Sequence, residues 1–158
     1  MSKIRLSILL LSLSSLAACP YSFVLDQNTA SPRVSLVSSE NRTNLIEAGM
    51  ILNSQLETAL ASLGLLSSSE EELPVLRCTL VSSDRERITA AALGQTDRYR
   101  LLITVIAELS DRGGTSLWRS RFTDEGTYLE GGQEEDALEE ACRAISQQIA
   151  RTIASLEL

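Results

Sequence analysis

Between Tyr99 and Leu109 every second residue is apolar: Tyr99, Leu101, Ile103, Val105, Ala107 and Leu109. A period of two places all six on one face of a β-strand, and folding has to cover that face. The opposite face, with Arg98, Arg100, Leu102, Thr104, Ile106 and Glu108, is mixed and tolerates water. Asp111-Arg112-Gly113-Gly114 follows as a tight hairpin turn. The strand predicted beyond it, Thr115 to Thr123, sets Trp118 and Phe122 on one face and Leu117, Arg119 and Arg121 on the other. A hairpin of this kind is not stable alone, so the cover must come from elsewhere in the chain.

Two stretches have the period to supply it. Leu45, Ala48, Gly49, Leu52, Leu56, Ala59, Leu60 and Leu63 recur at helical spacing and predict a helix over about 44–63. Asn44 reads as its N-cap, Glu47 as the capping-box partner and Gly64 as the C-terminal cap. Leu138, Ala141, Cys142, Ile145, Ile149, Ile153 and Leu156 predict a second helix over about 133–156. Glu134, Glu135 and Asp136 in its first turn and Arg151 near its end suit the helix dipole. Val34–Val37 reads as a short first strand, and from Val75 the residues Leu76, Cys78 and Leu80 alternate with Arg77, Thr79 and Val81. Whether that strand continues toward residue 93 or gives way to a loose connection is open at this stage. The order β-α-β-β-β-α is buried most economically as an α+β two-layer sandwich. Two amphipathic helices would pack on one face of a four-stranded mixed sheet.

Lys3 and Arg5, an apolar run from Ile8 to Leu16, and then Ala17-Ala18-Cys19 give the three parts of a secretory signal peptide. The run is well short of the roughly 20 residues that a membrane-crossing helix needs. A cysteine directly after two alanines resembles the bacterial lipoprotein signal, in which the thiol of the first mature residue is alkylated with a diacylglyceryl group. A plain export signal with an incidental cysteine is the alternative. The expected organisation is a leader over 1–18, a lipid-anchored tether over 19–32 and one domain over 33–158.

Removing residues 1–18 from 158 leaves 140, enough for one domain with a proper core. Without Lys3 and Arg5, twelve basic residues face 21 acidic ones, a net charge of −9. That surface argues against nucleic acid as a partner, because phosphate binding needs clustered cations. All twelve are arginine, which suits bidentate contacts with phosphate or carboxylate and equally fits a general composition bias. There is no histidine, and Cys78 and Cys142 are too far apart for a CxxC-type metal site. No metal, no cofactor and no enzymatic role are expected. For Cys78 and Cys142 a disulfide in an oxidising compartment is one alternative, and two buried thiols are the other.

The chain resembles the LptE family of lipopolysaccharide-assembly lipoproteins. The carriers are Cys19-Pro20-Tyr21-Ser22-Phe23, Glu40-Asn41-Arg42-Thr43-Asn44, Arg98-Tyr99-Arg100-Leu101, Asp111-Arg112-Gly113-Gly114 followed by Leu117-Trp118, and the closing amphipathic helix. One departure is Pro20, where the family usually has glycine. The resemblance implies the same two-helix, four-strand fold. It also implies a non-enzymatic lipoprotein, tied by its lipid to the periplasmic side of the outer membrane. Its partner would be the β-barrel translocon LptD, whose assembly it would support while assisting lipopolysaccharide to the outer leaflet. An auxiliary lipoprotein of a lipid-transport ABC system, or a pilotin-like assembly factor, is the alternative.

A site for lipopolysaccharide or the barrel wall would set cations beside apolar surface. Arg98 with Arg100, and Arg119 with Arg121, each share a strand face at i, i+2 spacing. Pairing through the turn is expected to gather all four on the solvent face, with Arg100 close to Arg121. The alternative is that Glu108, Asp97, Asp124 and Glu125 neutralise them as ordinary surface pairs. Tyr99, Trp118 and Phe122 read as core rather than as a ligand platform.

Overall fold

The strand whose alternation opens the sequence argument lies inside the sheet, flanked on both sides. In a computed structural model, which describes residues 32–67, 73–89 and 96–156, the elements run β1 (Ser35–Leu36), β2 (Glu40–Asn41), α1 (Ala48–Ser62), β3 (Val75–Thr89), β4 (Arg98–Ser110), β5 (Ser116–Leu129) and α2 (Glu134–Ala154). These elements belong to one compact unit, Ser31–Leu158. The leader, the tether and Cys19 lie outside the described residues.

The sheet order is β1-β3-β4-β5, with β2 also on β3. β1 and β2 both run parallel to β3, pairing Ser35 with Val75 and Glu40 with Thr79, so together they form one interrupted edge. β3–β4 and β4–β5 are antiparallel. The expected α+β sandwich of two helices on a mixed sheet is therefore the observed fold, with the first strand in two pieces.

The inner face of the sheet presents Leu76, Cys78 and Leu80 from β3 and Leu101, Ile103, Val105, Ala107 and Leu109 from β4, all buried. Leu52, Leu56 and Leu60 of α1 and Ile145, Ile149 and Ile153 of α2 close over them. Each fully buried Leu or Ile contributes roughly 1.5–3 kcal/mol, and this layer is what holds the fold. Gln148 of α2 donates to Asp124 of β5 at 2.7 Å, and Gln55 of α1 to Glu139 of α2 at 3.2 Å, so polar links bind the helices to the sheet and to each other.

Two local features depart from expectation, and the open extent of the strand from Val75 is decided. α1 begins at Ala48, and its N-cap Glu47 makes no side-chain cap bond. Asn41 organises the preceding turn instead: its Oδ1 accepts from Thr43 N–H at 2.9 Å and its Nδ2 donates to Leu45 O at 2.7 Å. Asn44 accepts from the Ser83 hydroxyl at 3.1 Å and joins that turn to β3. β3 continues to Thr89 through a register shift between Leu80 and Ser82. One extra residue reverses which side chains face the helices, so Arg85 and Arg87 fall opposite the inward-facing Leu101 and Tyr99. β5 runs six residues past its expected end, to Leu129.

The hairpin turn forms where predicted. Asp111 N–H donates to Thr115 O at 2.9 Å, its Oδ1 accepts from Thr115 N–H at 2.7 Å, and Gly114 adopts φ 84°.

Candidate binding surface

Both helices cover one face of the sheet, so the other face is left open. Along β4 it carries Arg98, Arg100, Leu102, Thr104, Ile106, Glu108 and Ser110. β5 adds Leu117, Arg119, Arg121, Thr123, Glu125, Thr127 and Leu129, all exposed. Leu117 is 47% exposed and Leu129 50%.

The register separates the two arginine pairs. Arg98 faces Leu129 and Arg100 faces Thr127, whereas Arg119 faces Glu108 and Arg121 faces Ile106. Arg100 and Ile106 are six residues apart on β4, roughly 20 Å at the rise of a strand. The four arginines share a face but do not form one cluster. Arg100 sits between two carboxylates, Glu125 at 3.0 Å and Glu86 of β3, and both hydrogen bonds raise its pKa above the usual guanidinium value. Arg98, Arg119 and Arg121 make no ion pair among the described residues.

Of the four carboxylates expected to neutralise the arginines, Glu125 does so for Arg100, and Asp97 instead pairs with Arg87 at 3.3 Å. Asp124 points to the helix side, where it holds Gln148. Glu86 as a partner was hidden by the β3 register shift, which only the structure reveals.

A concave patch that spacing did not reveal lies where β2 meets β3. It has a volume of 430 Å³ and is lined by Glu40, Arg42, Arg77, Glu108, Arg119 and the apolar Ile106. Arg42 holds Glu40 at 2.9 Å and lowers its carboxyl below the ordinary value. Cross-strand order places Glu108 between Arg77 and Arg119. The patch therefore carries an excess of positive charge on an otherwise acidic chain.

On the helix side the aromatic residues are structural. Tyr99 stacks on Tyr128 with centroids 5.6 Å apart, and Arg85 lies over both rings while bonding the Tyr128 hydroxyl and Glu134. Trp118 and Phe122 meet at 5.9 Å and pack against the core. Cys78 and Cys142 are buried free thiols rather than a disulfide, and burial pushes the pKa of each up to about 12. Where α1 and α2 begin, Glu47 lies beside Glu135 and raises the Glu135 pKa by like-charge repulsion. Ile46, just before α1, and Met50 in its first turn are 95% and 69% exposed.

Among the described residues no group of His, Cys, Asp and Glu could hold a metal ion, and no helix is long and apolar enough to cross a membrane.

The fold and surface define a small α+β sandwich with one helix-covered sheet face and one open, arginine-bearing face. The sequence model of the family described as LptE, lipopolysaccharide-assembly, matches residues 32–153, and the chain belongs to that family. A minor lipoprotein from Acinetobacter baumannii has a similar structure, with 22% identity and a TM-score of 0.55 over 79% of this chain and 92% of that one. A PelC dodecamer from Paraburkholderia phytofirmans aligns at 17% identity and a TM-score of 0.49, over 81% of this chain and 89% of that one. The rare lipoprotein B from Shewanella oneidensis aligns at 17% identity and a TM-score of 0.44, over 75% and 89%. A search of curated proteins returns no match.

Proposed function

We propose that this chain is a non-enzymatic, lipid-anchored subunit on the periplasmic side of the outer membrane. It binds the β-barrel lipopolysaccharide translocon LptD, supports its assembly and assists lipopolysaccharide to the outer leaflet. The observation that carries this reading is the span of the family match. Residues 32–153 include every strand and nearly all of the closing helix, so the whole domain is accounted for by one lipopolysaccharide-assembly unit. The leader ending in Ala17-Ala18, directly before Cys19, supports the anchor. The open sheet face supports binding, because it sets Arg98, Arg119 and Arg121, without an ion pair among the described residues, beside exposed Leu117 and Leu129, as an acylated anion or a barrel wall requires.

The test is crosslinking of the full-length lipidated protein in membranes, followed by its purification. A large outer-membrane β-barrel is the expected product. Recovery of inner-membrane transport components alone would overturn the assignment and favour a lipid-transport ABC system.

A further inference from the structure

The free side of β5 is a long sheet edge, and its hydrogen-bonding groups are not treated alike along its length. Glu130 N–H donates to Asp97 O at 2.8 Å, which fixes the parity of the β4–β5 ladder. Even-numbered residues from Trp118 to Tyr128 therefore turn their backbone groups toward β4, and odd-numbered residues turn theirs outward. Thr127 N–H, on the outward side, is capped by Glu140 of α2 at 3.2 Å, and Glu125 N–H by Asp124 at 2.9 Å. The outward N–H groups of Arg119, Arg121 and Thr123 have no acceptor among the described residues. No register shift interrupts β5 between Trp118 and Leu129. The opposite edge is different, because β1 and β2 contribute only two residues each and do not run on continuously.

We infer that the open part of the β5 edge, Leu117 to Thr123, takes up an extended acidic polypeptide segment as an added β-strand. The backbone of such a segment supplies carbonyls to the three outward N–H groups. Its side chains alternate: one set meets Arg119 and Arg121 on the open face, and the other meets the rims of Trp118 and Phe122 on the helix side. The complement is a carboxylate at two positions separated by one apolar residue.

A second copy of this chain fits poorly. Antiparallel pairing of the open stretch with itself brings Arg119 opposite Arg121 of the copy twice, and like charges directly opposite are unfavourable. A longer overlap requires the N–H groups of Glu125 and Thr127, which carboxylates already hold. The inference does not depend on the barrel assignment.

The probe is the capped peptide Thr-Glu-Val-Glu-Val-Thr, titrated into the full-length protein and followed by fluorescence of Trp118, the one tryptophan of the chain. Amide hydrogen exchange measured in parallel should show protection at 119, 121 and 123. The lysine counterpart Thr-Lys-Val-Lys-Val-Thr should not bind. Changing Arg119→Glu and Arg121→Glu together should weaken the acidic peptide about tenfold or more and create binding of the lysine peptide. Thr123→Pro removes one outward donor, spares every β4-facing one and leaves the charge intact, so it should weaken binding without altering salt dependence. Should that variant fail to fold, the charge exchange still decides. Equal binding of both peptides, absence of binding, or protection elsewhere on the molecule would overturn the proposal. So would self-association of the free protein with protection of these same three amides.

Discussion

Replacing Gly126 by alanine should destabilise the domain by at least about 4 kcal/mol and lower its thermal midpoint by more than about 10 °C. Gly126 is buried in β5, where the first turns of α2 cross the strand. A Cβ built there would lie 1.9 Å from the carbonyl oxygen of Ala137 and 2.6 Å from its carbonyl carbon. Both are backbone atoms, so no side chain can rotate aside. The helix must lift, and lifting it uncovers the apolar rows beneath Leu138, Ala141 and Ile145. Gly64 supplies the comparison. It has φ +67° and open space around it, so Gly64→Ala meets only the left-handed backbone cost of about 1 kcal/mol. Thermal unfolding followed by circular dichroism separates the two. A Gly126→Ala protein that melts with the parent would mean α2 does not approach β5 as described.

The second large effect concerns location. Changing Cys19→Ser should move the protein from the membrane fraction to the soluble fraction. Mass spectrometry of the parent should find the mature N-terminus at Cys19 carrying a diacylglyceryl group. Stable attachment takes more than one acyl chain, at about 0.8 kcal/mol per buried methylene, and no helix among the described residues is long and apolar enough to cross a membrane. An unmodified parent, or an equally membrane-bound serine variant, would remove the anchor from the account.

Much of the fold could be read from side-chain period. The alternation from Tyr99 to Leu109 and the stripes Leu52-Leu56-Leu60 and Ile145-Ile149-Ile153 each point to a face that must be buried, and burial is what the fold satisfies. What escaped was set by single residues acting over distance. The shift between Leu80 and Ser82 reverses the facing of everything after it, so Arg85 and Arg87 cannot be placed by alternation from Val75. Thr123 to Leu129 looks polar and turn-prone, yet it stays in the sheet because Gly126 makes room for a helix arriving from elsewhere in the chain.

The site was less legible than the fold for the same reason. Spacing correctly gave Arg98, Arg100, Arg119 and Arg121 a common face. Their separation follows from a hairpin register that places Arg100 beside Thr127 and Arg121 beside Ile106. Only a register six residues different would have set Arg100 opposite Arg121. The patch formed by Glu40, Arg42, Arg77, Glu108 and Arg119 draws on four strands, and no local pattern in the sequence marks it.

The most direct test of the account follows newly made lipopolysaccharide to the cell surface while the protein is depleted, with an unrelated outer-membrane barrel as control. Surface arrival of lipopolysaccharide should fall as the chain disappears, recover when it is restored, and leave the control barrel unaffected at early times. Undiminished arrival in cells that no longer contain the protein would contradict the account.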